Sequence, residues 1–127
     1  MISIISLPSV SQTRVDNNVA VHSTANYRLF PTENTRTFLK LNTQNGVIWQ
    51  VTFDIEKDNR FESYVNTLSL VGNDKLVNER FTLYSTENIY TFILLDQFDG
   101  RMWQVHWSED PVDRVILPIQ FSYNVKD

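Results

Sequence analysis

Apolar residues recur along this chain at every second position, not at the 3.6-residue spacing of a helix, so nearly all of its regular structure is expected as β-strand. The pattern places a short strand at Tyr27–Phe30, then a loop from Pro31 to Asn34, then a β-hairpin across Asn34–Asp54. A polar loop at Asp54–Asn59 leads to a last strand at Arg60–Val65. The same order returns as Phe81–Tyr84, Ser85–Asn88, Asn88–Ser108, Ser108–Asp113 and Arg114–Ile119. Pro118 restricts the last of these to a sheet edge or a bulge, because proline cannot donate to a ladder. Earlier in the chain, Ile2–Leu7 and Val19–Val21 read as two small strands.

The recurrence is a true internal repeat. Overlaying Tyr27–Asn66 on Phe81–Gln120 without gaps, a shift of 54 positions, gives 12 identities in 40 pairs, far above chance. They include Leu29/Leu83, Phe38/Phe92, Leu41/Leu95, Gly46/Gly100, Trp49/Trp103, Gln50/Gln104, Val51/Val105 and Arg60/Arg114. The Thr-Glu-Asn loops at 32–34 and 86–88 are also identical. The organisation expected is one domain over 1–127. It divides into an N-terminal segment 1–26, repeat one 27–66, a bridge 67–80, repeat two 81–120 and a tail 121–127.

The hairpin turn decides which side chains share a face. A two-residue turn at Asn45-Gly46 would pair Lys40 with Val51 and mix charge into the apolar row. A three-residue turn, with Gly46 left-handed as a G1 bulge, would pair Leu39 with Val51 and Leu41 with Trp49. The second choice gives a clean apolar face of Leu39, Leu41, Trp49, Val51 and Phe53, and a one-residue slip would invert it. In repeat two the same register buries Ile93, Leu95, Trp103, Val105 and Trp107. It leaves Phe92, Leu94, Met102 and His106 on the other face with Gln104 and Asp96. That face is too apolar to stay wet, and it reads as an interface to be covered by the N-terminal segment, a second subunit or a ligand. The expected fold is all-β: two pseudo-symmetric three-to-four-stranded antiparallel meander repeats, packed as a small sandwich or barrel through their tryptophan faces.

Composition narrows the function. The chain holds 127 residues with 42% hydrophobic and 13% aromatic content, enough for one packed core. No cysteine is present, which removes disulfides and thiol chemistry. The formal charge of −4 argues against long nucleic acid and against anionic membrane as partners. The two histidines, His22 and His106, are not spaced as metal ligands, and 3 glycines cannot supply a phosphate loop beyond the two hairpin turns. No metal, no cofactor and no enzymatic activity are expected, and a cytoplasmic or virion-associated location is the default.

Candidate ligand-binding residues are the polar side chains retained in both copies. Arg60 and Arg114 read either as structural ion pairs with Glu33 and Glu87 or as an anion clamp, since guanidinium grips phosphate or carboxylate bidentately. Asn34 and Asn88, with the two glutamates, read either as turn-building loops or as a paired polar site about a pseudo-twofold axis. Gln50 and Gln104 fall on the non-core face as hydrogen-bonding or binding groups.

The stretches TLYSTENIYTFILLDQFDGRMWQVHWS and RVILPI resemble a group of small tandem-repeat proteins encoded by gut Bacteroidetes and their phages or mobile elements. Their units follow LYPTxNxxxFLxLDTxxGxxWQVQW with a following Arg-Val-x-Pro-Ile stretch. Repeat one, LFPTENTRTFLKLNTQNGVIWQVTF, departs by lacking the Pro-Ile ending. The resemblance covers about two thirds of the chain and implies a phage or accessory-genome origin. The function expected is a non-enzymatic binding module that sequesters a small anionic, nucleotide-type ligand or a partner protein. The other expectation is a structural or assembly protein, a homo-oligomer built through the outer face of repeat two.

Overall fold

The computed structural model describes residues 25–56 and 58–123. The strands expected at 2–7 and 19–21 lie outside the described residues. Eight strands follow in chain order: β1 (Tyr27–Pro31), β2 (Thr37–Asn42), β3 (Ile48–Thr52), β4 (Phe61–Asn66), β5 (Phe81–Ser85), β6 (Thr91–Asp96), β7 (Met102–His106) and β8 (Val115–Ile119). They form two four-stranded antiparallel meanders, β1-β2-β3-β4 and β5-β6-β7-β8. The sheets pack on each other, with β2 near β5 and β4 near β8, and neither closes into a barrel. The bridge between them holds only a 3₁₀ turn at Asn73–Lys75. Pro118 sits on β8, the edge strand, as its missing N–H requires.

Both hairpin loops are one residue longer than the bulged turn expected from the pattern. The N–H of Asn42 donates to the Val47 carbonyl at 2.9 Å, and that of Asp96 to the Arg101 carbonyl at 2.8 Å. Four residues therefore lie between the closing pair, 43–46 in one loop and 97–100 in the other. Gly46 and Gly100 are left-handed at φ 85° and 84°, as expected, but they end a four-residue loop. The starting residue holds the turn in place: Asn42 Oδ1 accepts the Gln44 N–H, and Asp96 Oδ1 accepts the Phe98 N–H, both at 2.9 Å. The cross-strand partners become Leu39↔Gln50 and Lys40↔Trp49, and in the second unit Ile93↔Gln104 and Leu94↔Trp103.

That single residue inverts one strand of each hairpin relative to the expected face. In the first unit Leu39, Leu41, Ile48 and Gln50 are buried, while Trp49 and Val51 turn to the opposite side. In the second unit Phe92, Leu94, Trp103 and Val105 are buried, while Ile93, Leu95 and Met102 turn outward. Three readings are corrected by this. Trp49 is not in the core. Gln50 faces the core. Phe92 and Leu94 are not an outer interface, because the first sheet of the same chain covers them.

A larger consequence concerns symmetry. Shifting the strand pairings of the first sheet by 54 positions reproduces those of the second, except at a bulge in the first sheet, where Ile48 pairs with Asn66 while Met102 pairs with Ile119, so the two sheets are copies in register. Yet they bury opposite faces. The buried Leu39, Leu41 and Ile48 correspond to the outward Ile93, Leu95 and Met102. The buried Phe81, Leu83 and Phe92 correspond to the outward Tyr27, Leu29 and Phe38. A twofold relation would bring like faces together, and here the front of one copy meets the back of the other.

The ends of the two units are tied by hydrogen bonds that the pattern did not reveal. The N–H of Phe81 donates across to the Thr43 carbonyl of the first unit at 2.9 Å, and within that unit Asn66 Nδ2 donates to the Gly46 carbonyl at 2.9 Å. Arg80, 9% exposed in its side chain, grips the fully buried Asp96 through Nε at 2.9 and 3.0 Å. Arg101 Nη2 reaches the same carboxylate at 3.3 Å. Asp99 completes the cluster, and the Arg101 backbone N–H, then its side chain, hold the Asp99 carboxyl below its ordinary pKa.

The two turn glycines differ in their surroundings, which gives a direct check on the packing. A Cβ on Gly46 would stand 2.7 Å from Leu70 Cδ1, whereas a Cβ on Gly100 meets nothing within 4 Å. Gly100→Ala should cost roughly 1–2 kcal/mol from the left-handed backbone alone. Gly46→Ala should cost clearly more in the same denaturant titration, and equal costs would place Leu70 elsewhere.

Candidate functional site

The Thr-Glu-Asn loops of both units lie at one end of the pair of sheets, together with the β3–β4 and β7–β8 connections. Each loop is built the same way. Thr32 Oγ1 donates to the Thr37 carbonyl at 2.8 Å and accepts the Asn34 N–H at 3.1 Å, and Asn34 Oδ1 accepts the Arg36 N–H at 2.8 Å. Thr86, Asn88 and Tyr90 repeat those bonds at 2.8, 3.2 and 2.9 Å. The turn-building role of these residues is thereby met, and Asn34 has its amide left over. Its Nδ2 crosses to Glu109 Oε2 of the second unit at 3.3 Å.

A cleft of about 440 Å³ at this end lies in the seam between the units. Asn34, Gln50, Phe61 and Asp54 line it from the first unit, and Glu109 and Arg114 from the second. Gln50 is 2% exposed, and its Oε1 is the one buried side-chain oxygen or nitrogen among the described residues with no hydrogen-bond partner. Such an orphan costs about 1–3 kcal/mol until something donates to it. Arg114 Nε donates to the Ser108 carbonyl at 2.8 Å, and its Nη1 donates across the seam to Ser63 Oγ at 2.8 Å and the Tyr64 carbonyl at 3.1 Å. Nη2 has no partner among the described residues. Burial lowers the Arg114 pKa, with Asp110 acting against it, and the group remains a cation.

The expected residues divide accordingly. Asn34, Gln50 and Arg114 come together in the seam cleft. Glu33 and Asn88 line a smaller cleft of about 240 Å³ where the two Thr-Glu-Asn loops meet. Glu87 is exposed, and Gln104 is on the outer face of the second sheet. Arg60 is apart from all of them: it pairs with Asp58 and reaches the Asp54 carbonyl at 3.3 Å. Neither arginine pairs with Glu33 or Glu87, so the structural ion pairs expected on that pattern are not formed. The two guanidiniums form no joint clamp. Asp54 and Glu109, both missed, are cleft residues; Asp54 corresponds to Ser108, so retention between copies could not have picked it out.

His106 meets Thr91 Oγ1 at 3.3 Å through Nδ1 and lies against Tyr90. No group of three or more His, Cys, Asp or Glu among the described residues is placed to hold a metal ion. No helix among them is long and apolar enough to cross a membrane. No protein-family model matches the chain, and comparison with curated proteins and with solved structures finds no match.

The bonds of Arg114 to Ser63 and Tyr64 join the units at the mouth of the cleft. Arg114→Ala should lower the unfolding free energy by about 1–2 kcal/mol, and Ser63→Ala by a smaller part of the same amount. A double variant no worse than Arg114→Ala alone would show that they act as one contact; full additivity would contradict it.

Proposed function

We propose that this chain is a non-enzymatic binding module whose site is the seam cleft. The observation that carries the reading is Gln50, a buried amide whose oxygen has no partner, in a wall that also carries Arg114, Asn34 and two carboxylates. A ligand that brings an N–H or O–H to Gln50 removes a standing cost of the folded state. The exposed rings of Phe53 and Phe61 offer an apolar surface beside these polar groups.

Charge selects among ligands. Arg114 would suit a phosphate, but Asp54 and Glu109 stand in the same cleft and oppose a polyanion. Arg36 is already engaged with Asp54 at 3.4 Å. A small neutral ligand rich in hydroxyl or amide groups meets the same donors and acceptors without that opposition. We therefore favour a saccharide- or nucleoside-like ligand over a cyclic nucleotide. Sequestration by an accessory or phage-encoded protein remains the biological setting that the sequence resemblance supports.

Thermal unfolding in the presence of neutral saccharides, nucleosides and cyclic dinucleotides tests this. A ligand at a hundredfold excess over its Kd adds about 2.7 kcal/mol. The expected result is a shift with a neutral class. Gln50→Leu, which removes the orphan at similar volume, should fold at least as well and lose the shift. A shift with the dinucleotides alone would move the reading to an anion site, and a response unchanged in Gln50→Leu would remove Gln50 from it.

A further inference from the structure

We propose that copies of this chain assemble head to tail into a closed ring, in which the seam already present between its two units is repeated between neighbouring chains. This rests on the interface between the sheets and not on the reading of the cleft.

The argument begins with the two open faces. The outer face of the first sheet carries Tyr27, Leu29, Phe38, Trp49 and Val51, and these are the counterparts of Phe81, Leu83, Phe92, Trp103 and Val105, which are all buried in the seam. Four of those five pairs are identical in sequence. Leu29 is 60% exposed where Leu83 is 4% exposed. The outer face of the second sheet carries Ile93, Leu95 and Met102, the counterparts of the fully buried Leu39, Leu41 and Ile48. Each open face thus keeps most of the apolar character that its counterpart uses to bind a neighbouring unit, with Lys40 and Glu62 standing where the seam has Leu94 and Ile116. Water-facing strands have no physical need of that character. The one ion pair on the first face, Lys40 to Glu62 at 2.7 Å, leaves it without net charge, and Lys40 lies over the Trp49 ring at 4.5 Å.

Front meets back in the existing seam, so the two open faces fit each other and not themselves. That is a heterologous interface, which closes into a ring or runs on as a filament. Four-stranded meanders stacked around an axis close at roughly four to eight units. With two units per chain, the ring holds about two to four copies of this 14.9 kDa chain.

Two local features point the same way. Arg114 bonds the first unit through the Tyr64 carbonyl, whereas its counterpart Arg60 pairs with Asp58 of its own unit. The counterpart of Tyr64 is Pro118, so Arg60 would donate to the Pro118 carbonyl of the next copy. The shallow cleft at Tyr90, His106, Ser108 and Asp113 is likewise half of the seam cleft, since these match Arg36, Thr52, Asp54 and Asn59. The next copy would supply its other wall, with Arg60 in the place that Arg114 occupies.

Mass measurement by light scattering and native mass spectrometry on the full chain tests the ring. The wild type should give one discrete assembly within the two-to-four-copy range. Leu29→Glu on one face, or Met102→Glu on the other, should each give folded monomers. Mixed together, these two variants should form a heterodimer and nothing larger, because one intact front and one intact back remain. Tyr27→Glu and Leu117→Glu serve as second choices on the same two faces if either first variant fails to fold. A monomeric wild type at high concentration, open-ended growth, a single-face variant that still dimerises alone, or a mixture that stays monomeric would overturn the proposal.

Discussion

The loop from Asn42 to Val47, repeated from Asp96 to Arg101, sets which side chains share a face in each hairpin. Its length is fixed by backbone bonds across the closing pair and by an Asn or Asp side chain that accepts from the second residue beyond it. Since side chains alternate along a strand, one residue more or less in this loop exchanges the faces of a whole strand. Four residues place Leu39 and Leu41 with Ile48 and Gln50, and place Phe92 and Leu94 with Trp103 and Val105. Each meander thereby has two apolar faces, where an isolated sandwich needs only one. The front-to-back contact between the units, the seam cleft and the two open faces all follow from that.

The seam has a polar frame as well as an apolar centre. Asp96 is fully buried and accepts from Arg80, from Arg101 and from the loop backbone. Removing one partner of such a group is far more costly than the pair is stabilising, so the cluster fixes where the bridge meets the second hairpin. The corresponding place in the first unit is taken by Asn26 and Asn42, neutral groups with the same backbone contact: Thr43 N–H to the Asn26 carbonyl, as Gln97 N–H to that of Arg80, both at 2.7 Å. The repeat retained the backbone geometry there while the charge changed.

The alternation of period two, the repeat of 54 residues and the glycines at φ near 85° were legible in the sequence, and they sufficed for two antiparallel meanders. Which face each strand buries was not legible, because Trp49, Val51, Ile48 and Gln50 allow either choice and only loop length separates them. The apolar character of both faces was visible in repeat two and was read as a call for a cover; the cover for Phe92 and Leu94 proved to be the other half of the same chain. For the candidate site, Asn34, Gln50 and Arg114 were found because they are duplicated. Asp54 and Glu109 are not, and the partnerless oxygen of Gln50 depends on three-dimensional burial that no spacing encodes.

Front-to-back packing makes identical residues energetically unequal, and that is its most direct test. Phe38 and Phe92 match, as do Leu41 and Leu95, yet the buried member lies in the second unit for one pair and in the first for the other. The measurement is denaturant unfolding of the four alanine variants at a concentration where the chain is monomeric. Phe92→Ala and Leu41→Ala should each cost about 2–5 kcal/mol, with Phe38→Ala and Leu95→Ala well below them. Equal costs within each pair would mean that like faces meet, and would contradict the account.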